Sequence, residues 1–168
     1  MSAPAFKVRR ATPEDIPAML AVINAAFAIE TFLEGTRTNR EGLMEMMERG
    51  EFLLAHEGSG KLAASVYVEK RGRRGYFGML AVDPGQQGKG LSRKMVEAAE
   101  EYFRERGCEA LDLTVLSLRP ELPPLYRKFG FAETGTEEFL PSRPLKPGFA
   151  GHCIVMSKAL SEKSKGRV

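Results

Sequence analysis

The chain has 168 residues, 43% of them hydrophobic and 28% charged, which excludes disorder as its main state and allows one domain of ordinary size. Its 25 Lys and Arg against 22 Asp and Glu leave a net charge of +3, enough to suit an anionic small ligand but too weak to argue for nucleic acid. Two cysteines, Cys108 and Cys153, make no disulfide framework and no CxxC occurs, so a reducing, cytoplasmic setting is expected and a metal is not.

Met1 to Ala5 reads as a ragged start with no apolar core of a secretory signal, and no apolar run approaches the ~18 residues of a membrane span. Phe6 to Arg10 is a short strand. Thr12-Pro13-Glu14-Asp15 is a helix start: a capping Thr, a Pro in the first turn and two acids. The helix runs through Met19, Leu20, Ile23 and Phe27, and residues 30–38 break it into a loop. A second short helix covers about Asn39 to Arg49. Three strands follow as an antiparallel meander: Glu51 to His56, Lys61 to Glu69, and Gly75 to Val82, which Asp83-Pro84 ends.

Gly88 to Arg106 reads as a long helix with Leu91, Met95, Ala98, Ala99, Tyr102 and Phe103 on one face, closed by Gly107. Leu111 to Leu118 is a strand, Leu122 to Phe129 a short helix stopped by Gly130, and Phe131 to Phe139 and His152 to Ser157 are closing strands. The basic tail Ser161 to Val168 has little to bury and is expected to fray. Strands outnumber helices and the helices are inserted singly, so the fold class is α+β with a mixed sheet.

The segment with chemical content is 75–103. An apolar strand runs into a glycine-rich turn, Gln87-Gly88-Lys89-Gly90-Leu91-Ser92, that opens a helix. Glycines let backbone N–H groups converge, and a helix N-terminus adds its positive end, so this is a phosphate cradle. It is not a Walker A loop: Gly85 and Gly90 have the spacing, but Leu91 stands where Lys is required. It is not a dinucleotide fingerprint either: Gly88 and Gly90 fit, but Arg93 replaces the third Gly.

The pattern Leu80-Ala81-Val82-x-Pro-x-x-Gln87-Gly88-Lys89-Gly90-Leu91-Ser92 resembles the acetyl-CoA site of the GNAT superfamily of N-acetyltransferases. Val8-Arg9-Arg10-Ala11-Thr12 with Asp15 resembles the family's opening strand and helix, and Leu125-Tyr126-Arg127-Lys128-Phe129-Gly130-Phe131 its L-Y-x-K-x-G-F segment. The three occur in family order, and the likeness covers roughly residues 6–158 of a single domain. The family's Q/R-x-x-G-x-G/A motif fits in two registers, led by Gln87 or by Gly85. Where the family often has Asn, seven residues before the Tyr, this chain has Arg119.

The resemblance implies a mostly antiparallel sheet with helices on both faces and a V-shaped splay between the fourth and fifth strands. It implies acetyl-CoA as cosubstrate, held by Leu80, Ala81 and Val82 and by Gln87, Gly88, Lys89, Gly90, Leu91 and Ser92. It implies transfer to a primary amine by direct attack, with Tyr126 as the acid that protonates the thiolate. A non-catalytic acyl-CoA-binding module is the alternative. Some family members carry a Glu base where this chain has Tyr76. Tyr67, Glu69, Glu30, Glu34, His56 and His152 are the other candidates and none dominates, so either proton loss through water or a substrate whose amine is already partly neutral is expected. Residues 28–38 and 139–151 are expected to form the acceptor pocket, with Glu30, Glu34, Tyr76 and His152 as substrate residues; Glu30 and Glu34 are either solvated or favour a cationic amine. The acceptor is a small amine or a peptide, with neither nucleic acid nor membrane as partner, and a homodimer is left open. The basic turn Lys70 to Arg74 reads as a solvated hairpin tip.

Overall fold

A computed structural model describes residues 6–139 and 143–160. The elements in chain order are β1 (Phe6–Arg10), α1 (Ile16–Ala26), α2 (Arg40–Arg49), β2 (Glu51–Glu57), β3 (Leu62–Arg71), β4 (Arg74–Val82), α3 (Leu91–Glu105), β5 (Ala110–Leu116), α4 (Leu122–Lys128), β6 (Ala132–Glu137) and β7 (Cys153–Ala159). The strands form one sheet in the order β1-β2-β3-β4-β5-β7-β6, antiparallel except for the β4–β5 pair. The expected α+β class and element order hold. The expected fraying of the 161–168 tail lies outside the described residues.

Local chemistry sets the boundaries. Thr12 caps a short 3-10 turn over Pro13–Asp15 that leads into α1. Arg9 grips Asp15 with two hydrogen bonds of 2.7 and 2.9 Å and holds its carboxyl down at about 2, and Asp15 in turn accepts from the Thr12 amide. Asn39 caps α2 by accepting from the Gly42 amide at 2.8 Å. The basic hairpin tip is neutralised locally: Arg71 pairs with Glu69, Arg73 with Glu109 and Arg74 with Asp112.

The core lies on both faces of the sheet. Ile16, Met19, Val22 and Ile23 of α1 and Leu43 of α2 pack with Phe52, Leu54 and Tyr67 on one face. Leu91, Met95, Val96, Ala99 and Phe103 of α3 pack with Val66, Phe77, Leu111, Leu113 and Tyr126 on the other. The long helix begins at Leu91, three residues later than the sequence pattern suggests. Gly88 and Gly90 have φ of +84° and +76°, a left-handed conformation that no α-helix contains.

Gly75 on β4 lies under the Phe103 ring, and a Cβ there would stand 2.5 Å from its carbons. Gly75→Ala should therefore destabilise the chain by ~1–3 kcal/mol, because neither α3 nor the central strand has room to move. Thermal unfolding measures this. An unchanged midpoint would mean that α3 is not seated on β4 as described.

Candidate active site

The site is made by β4 parting from β5. The two strands pair only over Arg74–Ala110, Gly75–Leu111 and Tyr76–Asp112. Beyond Tyr76, β4 has no strand on that side, while β5 stays paired with β7 along Ala110–Leu116. This is the splay expected between the fourth and fifth strands.

A β-bulge accompanies the parting. Across β3, Tyr67 faces Gly78 and Ser65 faces Ala81, so β4 carries an extra residue at Met79–Leu80. Met79 takes up a φ of +50°, rare for a residue with a side chain. The bulge inverts the strand's alternation. Phe77 packs on the α3 face, Met79 and Ala81 on the α1 face, and Leu80 and Val82 again toward α3. A bulge bends its strand and leaves backbone groups off the ladder, here beside Leu80 and Ala81, which the family resemblance assigns to the cosubstrate.

The gap opens into a cavity of about 350 Å³, at the small end of the ~300–1,000 Å³ usual for ligand sites. Its walls include Tyr76 to Leu80 of β4, Leu113 to Leu116 of β5, Leu122 and Tyr126 of α4, and Phe27, Glu30, Leu33 and Arg37 from the end of α1 and the loop after it. Phe139, Arg143 and Cys153 complete it. Segments 28–38 and 139–151 thus both contribute to the cavity wall. They are clasped together: Leu33 bridges Leu145, the Glu34 amide donates to the Pro144 carbonyl at 2.9 Å, and the Lys146 amide to the Phe32 carbonyl at 2.9 Å. Residues 140–142 of the second segment lie outside those described.

At the far end of β4 stands the glycine turn. Asp83, Pro84 and a short 3-10 turn lead to Gly88 and Gly90, and Gly90 caps α3. No heavy atom comes within 4 Å of a Cβ built on either glycine, so the space on that side of the turn is open. The positions that demand glycine are 88 and 90, the spacing of the register led by Gly85. Gln87 is exposed, and Leu91 is buried in the first turn of α3 beside Ser92. Lys89 donates to Gln86 at 2.8 Å, and buried Gln86 donates to Glu57, which ties the turn to β2. Arg93 lies over the Phe129 ring.

Tyr126 is buried in the cavity wall, its ring edge-on to Phe77, Phe129 and Phe131 at centroid distances of 6.0, 6.1 and 6.0 Å. Burial pushes its phenol well above the ordinary range, against the pull of Arg119.

Other expectations need correction. Glu30 is neither solvated nor free to bind a cationic amine. It is buried between Arg119 and Arg143, at 2.9 and 2.7 Å. Those partners lie 89 and 113 residues away, beyond any local sequence signal. Glu34 is exposed and outside the cavity wall, and so is His152, whose backbone pairs with Ser117 while its side chain faces solvent. Tyr76 does line the cavity, with Arg71 stacked 4.2 Å over its ring. Tyr67 donates to Glu69 at 2.6 Å and His56 sits by Gly60, so these candidate bases are engaged elsewhere. Arg119, read as a gap in the family pattern, is a wall residue. So are Arg37 and Arg143, which the sequence did not single out, and Cys153 also reaches the wall. Among the described residues, no group of acids, histidines and cysteines is fit to hold a metal.

A family model described as an acetyltransferase (GNAT) domain matches residues 10–140. A mycothiol acetyltransferase of Propionibacterium freudenreichii subsp. shermanii is 28% identical over 142 residues, 79% of this chain and 45% of the relative. The chain spans less than half the length of the curated relatives it matches. The ribosomal-protein-S18-alanine N-acetyltransferase of Escherichia coli has the same fold, with a TM-score of 0.75 at 20% identity over 98% of this chain and 99% of that one. So does the yncA protein of Salmonella typhimurium, solved with its cofactor acetyl-CoA: TM-score 0.73, 19% identity, 95% and 96% covered.

Proposed function

The chain belongs to the GNAT acetyltransferase domain family, and from that premise we propose that it transfers an acetyl group from acetyl-CoA to a primary amine by direct attack. The observation that carries this reading is the free edge of β4 beyond Tyr76, which runs from the cavity to the exposed glycine turn at Gly88 and Gly90.

The residues fit such a cosubstrate. An unpaired strand edge accepts an amide-bearing arm as though it were another strand, and the glycine turn at the head of α3 suits a pyrophosphate. When bound, acetyl-CoA supplies an acyl group activated as a thioester. The bulge at Met79–Leu80 offers backbone donors to the carbonyl oxygen as it gains charge. Tyr126, kept protonated by burial, donates to the departing sulfur. The amine must shed a proton before it attacks. Among the described residues the cavity wall has no unpaired carboxylate and no imidazole, so the proton leaves through water. The two free cysteines are in keeping with a cytoplasmic setting.

Purified chain mixed with acetyl-CoA and pooled amines, amino acids and peptides should release free thiol, read with a thiol reagent. Binding of acetyl-CoA with no thiol release from any pool would replace the enzyme with a binding module; absence of binding would remove both.

A further inference from the structure

The cavity wall carries more positive charge than it neutralises. Three guanidiniums, those of Arg37, Arg119 and Arg143, share it with one carboxylate, Glu30. Both oxygens of Glu30 are occupied, Oε2 by Arg119 and Oε1 by Arg143. Arg119 also donates to Glu121 at 2.7 Å, and Arg143 to the Gly35 carbonyl at 3.1 Å. Arg37 remains. Among the described residues it donates to no carboxylate or carbonyl, and its guanidinium rests against the Phe27 ring, 5.2 Å from the centroid.

A partly buried guanidinium without a counter-ion is costly to hold. Burial presses its proton affinity down, and the neighbouring Arg143 adds to this against the pull of Glu30. Arginine nevertheless stays charged at any working pH. The Arg143–Glu30–Arg119 chain fixes the wall around it, so the charge faces the cavity in a preformed setting.

The CoA phosphates are not its partner. Arg37 shares the cavity wall with Tyr76, at the start of the free edge, and no residue of the glycine turn lines that wall. The glycine turn follows Val82, six residues on, roughly 20 Å away at ~3.3 Å per residue. What remains within reach is the acceptor.

We infer that Arg37 seats a carboxylate of the acceptor, so that the substrate is a zwitterionic amine, an amino acid or a compound built like one, rather than a polyamine. A guanidinium presents a planar fork matched to a carboxylate, and Phe27 orients that fork. This inference rests on the acyl-transfer reading only in calling the bound amine an acceptor.

The test uses the CoA-loaded chain. Free amino acids and their amides are titrated one at a time by calorimetry, which needs no turnover. At least one amino acid should bind ~10-fold or more tightly than its amide. Arg37→Gln should abolish that preference, and Arg37→Lys should restore part of it. The thermal midpoint of Arg37→Gln should fall by no more than the loss of its contact with the Phe27 ring, since among the described residues it has no ion pair to lose. Equal binding of acids and amides, no binding of either, or a preference that survives in Arg37→Gln overturns the inference. So does an Arg37→Gln variant that loses only its affinity for succinyl-CoA relative to acetyl-CoA, since the carboxylate would then belong to the acyl group. Thiol release in parallel samples given acetyl-CoA in place of CoA reports separately on acyl transfer: a carboxylate preference without release removes the reaction and keeps the seat.

Discussion

Gly90→Asp should bind acetyl-CoA at least ~30-fold more weakly than the wild-type chain, with its fold intact. The residue caps α3 at a φ of +76°, and a side chain added there meets open space. Aspartate enters the left-handed region more readily than most residues and is itself a good helix cap, so folding is not the casualty. What changes is the face presented to the ligand. The side chain adds a negative charge at the glycine turn, and that charge opposes a pyrophosphate. Two unit charges 4 Å apart repel by about 4 kcal/mol at an effective dielectric of 20. Solvent exposure reduces this, and ~2 kcal/mol corresponds to ~30-fold in Kd. Calorimetry of both proteins, with Gly90→Ala as the control for strain without charge, measures the effect. The Asp penalty should shrink as salt is raised and the Ala penalty should not. Equal affinity in wild type and Gly90→Asp would remove the glycine turn from the binding site.

The order of elements is legible because punctuation is local. Thr12-Pro13, Asn39 and Pro84 begin or end an element by capping or restricting the chain, Gly107 and Gly130 by admitting a positive φ, and every such boundary stands within a few residues of its place. The head of α3 is misread because a glycine in a helical pattern does not announce a positive φ. The bulge is illegible for a different reason. Gly75 to Val82 is apolar on both faces, so an inverted alternation leaves no polar residue out of place, and nothing about a methionine predicts the left-handed region. The wall of the cavity is hidden most deeply. Glu30 looks like a loop acid until Arg119 and Arg143 are brought to it from a helix start and a distant loop. Motif spacing reports the cosubstrate side because those contacts are made by consecutive backbone groups. The acceptor side is made by single side chains from separate segments, and only the fold brings them together.

Tyr126→Phe should lower kcat by at least ~10-fold while leaving affinity for acetyl-CoA nearly unchanged. The ring's place is set by Phe77, Phe129 and Phe131, which a phenylalanine satisfies equally. Among the described residues the hydroxyl has no hydrogen-bond partner, so its removal should not lower the thermal midpoint. The loss is confined to the proton. General acid catalysis contributes ~10²–10⁴-fold, and a thiolate, a fair leaving group without help, draws on the lower part of that range or less. Affinity that holds while kcat falls marks an interaction made during the chemical step. The pH profile adds a second readout. A free phenol loses its proton near ~10, and burial raises Tyr126 above that. The donor is the protonated form, so kcat governed by this group stays level through pH 9 and declines only above the ordinary phenol range. Tyr126→Phe has no such proton to lose, and its profile should lack that decline. If the variant keeps full kcat and the same alkaline limb, Tyr126 serves packing alone and the sulfur takes its proton from water or from the ammonium of the product.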